Sequence, residues 1–180
     1  MWSDAVNLEL NLQAFIDLLL TRDGRVGKTL RSPTDPQFVK LYLTNPDLIY
    51  ADKHPVPRHG QGILLPCLQD ILSVSYPYLP SVDYVQYGKP EGLTFDFAHD
   101  LLLEKALEQN VEISNYYMIG DNPEGDIEGA NRKGWESILV RSGLWDGEVN
   151  HEKHPAKHVV RDMEQAIDLI CSKEGIKFDL

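Results

Sequence analysis

Seven residues at positions 120–126, Gly-Asp-Asn-Pro-Glu-Gly-Asp, combine residue types and a spacing that could do chemistry. They follow an apolar run at 116–119 that predicts a strand, and they lead into a predicted helix. Ligands of open parallel sheets bind at the carboxyl ends of strands, where Asp121 would stand. Asp126 would open the helix with its side chain turned back to the same place, and two carboxylates there would suit magnesium. The simpler alternative makes Asp121 a turn residue and Asp126 a helix cap.

A second candidate is Lys89, which lies in Gly88-Lys89-Pro90 between a predicted strand and a predicted helix. A lysine held at a strand end can place its ammonium on a phosphate or on a buried carboxylate. Taken alone, Gly-Lys-Pro is a common turn with a surface lysine. Its position one helix upstream of residues 120–126 is what favours a functional role.

Alternating strands and helices must position these residues. We expect helices at 4–20, 61–73, 95–109, 124–133 and 163–171, and strands at 38–43, 84–87, 116–119, 137–140 and 159–160. The helix at 95–109 should turn Phe97, Leu101, Leu102 and Ala106 inward. This order predicts an α/β fold with a parallel sheet covered on both faces. Prolines at 75–81 predict a boundary between two domains, residues 1–80 and 81–180.

Composition narrows the possible partners. The 180 residues carry a formal net charge of -11, which argues against nucleic acid as the main partner because phosphate backbones attract clustered Lys and Arg. A small phosphorylated substrate remains compatible, since one lysine and one magnesium ion offset local repulsion. The longest apolar stretch is too short to span a membrane. The two cysteines, Cys67 and Cys171, show no metal-ligand spacing.

In series, the motifs resemble the C-terminal half of the haloacid dehalogenase superfamily, subfamily IIA. Tyr87-Gly-Lys-Pro90 and Ile119-Gly-Asp-Asn-Pro-Glu-Gly-Asp-Ile127 match its third and fourth motifs, and Gly134-Trp-Glu-Ser-Ile-Leu-Val-Arg141 continues the match. Thr44-Asn-Pro-Asp47, followed by Arg58-His-Gly-Gln-Gly62, resembles the closing part of that subfamily's cap domain. Within the subfamily, the sequence is most similar to the group of proteins like cat eye syndrome critical region protein 5. The resemblance implies the C-terminal half of a Rossmann-like core, preceded by the rear part of an α/β cap.

The resemblance also implies an activity. Members are magnesium-dependent hydrolases, most often phosphatases, that work through an aspartyl-phosphate. Lys89 would steady the nucleophile and the transferring phosphoryl group, and Asp121 and Asp126 would hold magnesium. The expected substrate-binding residues are Asn45, Asp47 and Asn122. Relatives are associated with mitochondria, so we expect that compartment by resemblance, or otherwise the cytoplasm.

One departure from the family is serious. The family's nucleophile lies in an N-terminal Asp-x-Asp strand, and this sequence contains no Asp-x-Asp. We therefore expect a fragment, a short isoform or a truncated gene product that is inactive alone. It would self-associate or pair with a full-length copy. The alternative is a non-catalytic binding or regulatory fragment.

Two other stretches of the sequence contain residues that could bind a ligand. Gly24-Arg-Val-Gly27-Lys28-Thr29 invites a P-loop interpretation, but Arg22 stands where that motif needs glycine, and a helix rather than a strand precedes it. His151, His154 and His158 could suggest a metal site. Pro155 interrupts any helix there, so the stretch is more typical of a solvated loop.

Overall fold

The computed structural model describes residues 7–27 and 29–177, and the chain divides into two compact units, residues 1–87 and 88–180. The helices of the first unit are α1 (Leu8–Leu19) and α2 (Leu64–Ser75), and its strands are β1 (Leu41–Leu43), β2 (Ile49–Tyr50), β3 (Arg58–His59) and β4 (Tyr84–Gln86). The helices of the second unit are α3 (Gly92–Gln109), α4 (Glu128–Lys133) and α5 (Met163–Glu174), and its strands are β5 (Tyr117–Gly120), β6 (Glu136–Val140) and β7 (His158–Val160).

In the first unit, α1 and α2 pack against the parallel pair β1 and β4. Its core joins the buried residues Ile16, Leu19, Leu20, Leu41, Leu68 and Leu72. The strand at 84–86, which the sequence grouped with the second part, pairs with β1 and so belongs here. The helix predicted from residue 4 begins at Leu8, and residues 4–6 lie outside the described residues.

The second unit is built on a parallel sheet in the order β5-β6-β7, as expected from the alternation of strands and helices. Ile138 and Val140 of β6 pack with Ala166 of α5 on one face of the sheet. Leu139 points to the other face, where it packs with Ile127. Both faces of the central strand are therefore covered, which explains why β6 is a nearly continuous apolar run.

The prediction of the inward face of α3 was wrong, except at Ala106. Phe95 and Ala106 are buried, whereas Phe97, Leu101 and Leu102 are exposed. Apolar residues occur on every side of this helix, so their spacing could not single out one face. Neither α3 nor any other helix in the described residues is long and apolar enough to cross a membrane.

Close contact between α3 and α4 selects the face that α3 buries. Gly129 of α4 lacks a side chain, and a Cβ there would overlap the ring of Phe95. The Phe95 ring fills that space and meets Trp135 edge to face, with the ring centroids 5.6 Å apart. A glycine thus decides which side of α3 faces the core.

An ionic network joins the amino ends of β5 and β6 to neighbouring elements. Glu136 accepts hydrogen bonds from Lys157 at 2.7 Å and from Lys173 at 2.9 Å. These bonds lower the pKa of Glu136 to about 2. At the start of β5, a hydrogen bond to Glu174 raises the pKa of Tyr117 to about 12. The network lies at the opposite end of the strands from Gly120.

Candidate active site

The turn after β5 positions the acidic residues of the 120–126 motif. Strand β5 ends at Gly120, and a π-helical turn covers Pro123–Ile127 before α4 begins. The Asn122 side chain caps this turn by accepting hydrogen bonds from the backbone N–H groups of Glu124 at 3.0 Å and Gly125 at 3.1 Å. The sequence led us to expect Asp126 at the start of the helix. In the structure the helical turn already begins at Pro123, and its N-cap is Asn122.

Asp126 is held in place through both of its carboxylate oxygens. It is 2% exposed, and one of its carboxylate oxygens pairs with the Lys89 ammonium. The other oxygen accepts from the backbone N–H of Asn122 at 3.1 Å. A Cβ on Gly120 would overlap this carboxylate, so the glycine that ends β5 makes room for it. A buried carboxylate is costly without a partner, and Lys89 supplies one from 37 residues upstream in sequence.

Asp121 is held by a loop that sequence reasoning missed. Its Oδ2 accepts from the backbone N–H of Leu144 at 2.7 Å, and its carbonyl accepts from the N–H of Trp145 at 3.1 Å. Gly143 gives the carboxylate space, because a Cβ there would lie 2.6 Å from Asp121 Cγ. The loop follows the carboxyl end of β6, next to β5, and that position was the signal available in the sequence.

The chemistry of this donor set fits magnesium. Asp121 Oδ1 makes no hydrogen bond with the described residues, so it can face a cation, and Asp126 offers carboxylate oxygens already held by N–H donors. The described residues contain no group of three or more His, Cys, Asp or Glu arranged to hold a metal. Magnesium needs no such cage, since it keeps several waters and takes one or two carboxylates together with substrate phosphate oxygens.

Asn45 and Asp47 lie in the first unit, directly after β1. The Asn45 side chain accepts a hydrogen bond from the Asp47 backbone N–H at 2.8 Å, which fixes a tight turn. The Asp47 carbonyl accepts from the N–H of Gly62 at 3.1 Å. The structure therefore brings Lys89 and Asp126 together, and it places Asn45 and Asp47 in a different unit.

The two weaker motifs have other surroundings. The loop that contains Gly24 and Gly27 follows α1, and a bridge pairs Thr21 with Leu30, so a helix leads into the loop and no strand does. Lys28 lies outside the described residues. The rings of His151 and His154 stack 5.6 Å apart. His158 lies in β7 beside Glu136, at 3.4 Å.

The chain is similar to known hydrolases and phosphatases. Residues 86–166 match the HAD-hydrolase-like family. The cardiolipin synthase (CMP-forming)/mitochondrial hydrolase fusion protein of Schizosaccharomyces pombe is 37% identical over 94% of this chain and 28% of its own length. The phospholysine phosphohistidine inorganic pyrophosphate phosphatase of Bos taurus is 28% identical over 73% of this chain and 46% of its own length.

A solved structure shares the fold. The possible sugar phosphatase of the HAD superfamily from Cytophaga hutchinsonii matches 97% of this chain and 46% of its own, at 20% identity and a TM-score of 0.50. The chain is similar to haloacid dehalogenase-like hydrolases, which confirms the resemblance drawn from the motifs and the α/β fold class. Within that family it is similar to a protein named as a mitochondrial hydrolase, and it spans less than half the length of these three relatives.

Proposed function

We propose that this chain supplies the lysine and the magnesium-binding carboxylates of a hydrolase that acts on a small phosphorylated molecule. The observation that carries the proposal is the pairing of Lys89 with Asp126. Two motifs 37 residues apart are held together where β5 ends, the edge of a parallel sheet at which ligands of such folds bind. If Asp126 only capped a turn and Lys89 were an ordinary surface lysine, Asp126 would not need to be buried and the two side chains would not need to pair.

Each residue then has a role that its contacts support. The Lys89 ammonium, whose side chain is 40% exposed, can reach a phosphate oxygen while it keeps Asp126 neutralised. Asp121 and Asp126 would hold magnesium, and the ion's charge would offset the negative charge on the phosphoryl oxygens. The Asn122 backbone fixes Asp126, and the Asn122 side chain fixes the turn. Asn45 and Asp47 are proposed as substrate-binding residues on the resemblance alone.

We further propose that the nucleophile comes from a segment outside this sequence. The sequence holds no Asp-x-Asp, and Lys89, Asp121 and Asp126 are already assigned to holding and positioning. Among the described strands β5 pairs only with β6, so its other edge is open to a further strand. Exposed apolar residues of α3, such as Phe97 and Leu107, add surface that a further segment could cover.

The test is hydrolysis of an aryl phosphate with magnesium by the chain alone and by the chain mixed with a second polypeptide. That polypeptide should carry the Asp-x-Asp strand of a longer family member. We expect no activity from the chain alone and measurable activity from the mixture, because members of a catalytic unit act together. Asp121→Asn should reduce the activity of the mixture at least about tenfold. The control is Asp146→Asn, which removes an exposed carboxylate from the loop that contacts Asp121 and should leave activity unchanged.

Two results would count against the proposal. Activity of the purified chain alone, lost in Asp121→Asn, would show that this sequence contains its own nucleophile. No activity in any mixture, although the two polypeptides bind each other, would favour the non-catalytic alternative. In that case the fragment would act as a binding or regulatory partner of a longer copy. A mitochondrial location is proposed from the name of the Schizosaccharomyces pombe relative, and fractionation of cells that express a tagged full-length gene product would test it.

A further inference from the structure

Arg31 is a buried cation in the first unit. It is 6% exposed, and its backbone N–H donates to the Leu20 carbonyl at 2.7 Å. Its Nε donates to the Asp35 carbonyl at 3.1 Å. The two terminal guanidinium nitrogens make no hydrogen bond, and no carboxylate forms an ion pair with them, within residues 7–27 and 29–177. Most of the donors of Arg31 therefore find no acceptor in the part of the chain that the structure describes.

The nearby carboxylate is already engaged by other groups. Asp35 accepts from the Ser32 backbone N–H at 2.9 Å, and its other oxygen lies 3.6 Å from Arg22. The Arg22 side chain is 63% exposed, so water already solvates it. Two arginines thus flank one acid, and the acid pairs with the exposed one. The terminal nitrogens of Arg31 therefore have no carboxylate partner among the described residues.

Arg31 lines a cavity of about 410 Å³. The lining residues that the structure describes lie in the first unit, between the end of α1, one side of α2 and the segment that leads to β4. The apolar wall consists of Leu19, Leu72, Tyr76, Pro77, Leu79, Pro80 and Val82. Among the described residues, Arg31 is the single cationic residue of the lining. The single acid, Asp70, is exposed and forms no ion pair among the described residues.

This combination has a chemical meaning. A buried charge that no carboxylate of the described residues contacts directly is expensive, and a guanidinium recovers that cost most effectively by binding an oxyanion through two parallel hydrogen bonds. The volume falls in the range of small-molecule sites, which are mostly apolar with a few fixed polar groups. We propose that this cavity binds a small amphipathic anion, a carboxylate or phosphate monoester with an apolar body, and that Arg31 holds its anionic group. The inference is independent of the function proposed for the second unit.

Four probes separate the contributions of charge and apolar body. Titration calorimetry of the full chain, with each probe below its micelle concentration, would use octanoate, octyl phosphate, octanol and inorganic phosphate. We expect saturable binding of octanoate or octyl phosphate. Octanol, which lacks the charge, and inorganic phosphate, which lacks the apolar body, should bind at least tenfold more weakly. The preference between the first two probes identifies the anionic group.

Two independent variants locate the site. Arg31→Gln should weaken binding of the preferred anion at least tenfold, whereas Arg22→Gln, which removes the exposed arginine beside Asp35, should leave it unchanged. Because Arg31→Gln also removes the hydrogen bond from Arg31 Nε to the Asp35 carbonyl, a second variant leaves Arg31 intact. Ser73→Trp places a large ring on the wall of the cavity and should abolish binding. Val74→Trp is its matched control, since Val74 is 80% exposed and does not line the cavity.

Four outcomes would overturn the proposal. Octanol that binds as tightly as octanoate would make the cavity a purely apolar groove. Binding that survives both Arg31→Gln and Ser73→Trp would place the ligand elsewhere, and failure of both anions to bind would leave Arg31 without this role. A dimer of the wild-type chain that Ser73→Trp dissociates would show that a second copy fills the cavity instead.

Discussion

Replacing Gly120 by alanine should disrupt the candidate site where Gly120 contacts Asp126. A Cβ at this position would overlap the carboxylate of Asp126, which is 2% exposed. The Asp126 backbone cannot simply withdraw, because its N–H donates to the Asn122 carbonyl at 2.8 Å. The side chain must therefore swing away from the Asn122 N–H and from Lys89, which it now contacts.

The size of the effect follows from these contacts. Hydrogen bonds to charged groups contribute about 1.5–3 kcal/mol each, and forcing an extra carbon into packed space costs about 1–3 kcal/mol. Alanine recovers roughly 0.5–1 kcal/mol relative to glycine in a strand. Since one of the two bonds can re-form with water at the half-exposed Lys89, we expect a net loss of about 2–4 kcal/mol in the free energy of unfolding.

The assay is urea unfolding followed by tryptophan fluorescence, because Trp135 and Trp145 both lie in the second unit. Gly92→Ala is the matched control. A Cβ on Gly92 meets nothing within 4 Å at the start of α3, so this variant should be neutral or up to about 1 kcal/mol more stable. A double variant adds a second check, because Asp126→Gly removes the whole side chain, whose carboxylate and Cβ atoms a Cβ at position 120 would overlap. In that background Gly120→Ala should cost less than about 1 kcal/mol. Equal stability of Gly120→Ala and Gly92→Ala would refute the packing of Asp126 against Gly120.

Three further variants test other contacts by the same unfolding assay. Glu136→Gln should cost about 1–2 kcal/mol at pH 7 after allowance for solvent screening. The pKa of Glu136 is lowered to about 2, so the difference from wild type should persist above about pH 4.5 and vanish as pH falls toward 2; a difference that does not depend on pH would contradict the ionic network. Asn122→Ala should cost about 1–2 kcal/mol through loss of the cap, with Asn122→Ser recovering part of it. Gly129→Ala should cost about 1–3 kcal/mol by crowding Phe95, and adding Phe95→Leu should restore some stability if that contact is the cause.

The strands and the parallel sheet of the second unit could be predicted because their signals are local. Each strand is a short apolar run, and Gly134, in a left-handed conformation, ends α4 where the sequence indicated. The turn after β5 was also predictable, since Gly-Asp-Asn-Pro after a strand favours a turn. The pairing partner of β4 was not, because a strand of three residues carries no sign of its neighbour.

Contacts between distant segments set the limit of sequence reasoning. Leu144 binds Asp121 through its backbone N–H, so the residue type at position 144 gives no sign of this contact. The buried face of α3 depends on the missing side chain of Gly129. The surroundings of the Arg31 guanidinium depend on the Asp35 carboxylate, which forms its ion pair with Arg22 among the described residues. In each case the deciding feature is a distance across the fold, which spacing along the chain does not encode.

The two acidic residues of the motif differ in what their substitution can reveal. Asp126 is buried and both of its oxygens are engaged, so a change there alters stability and function together. Asp121 uses one oxygen to accept from Leu144, and asparagine can keep that bond through its amide oxygen while it loses the charge. A loss of hydrolysis in Asp121→Asn with unchanged unfolding would therefore report on charge at the site, and the same loss in Asp126→Asn would not. This is the physical reason for choosing Asp121 as the test of the proposed magnesium-dependent activity.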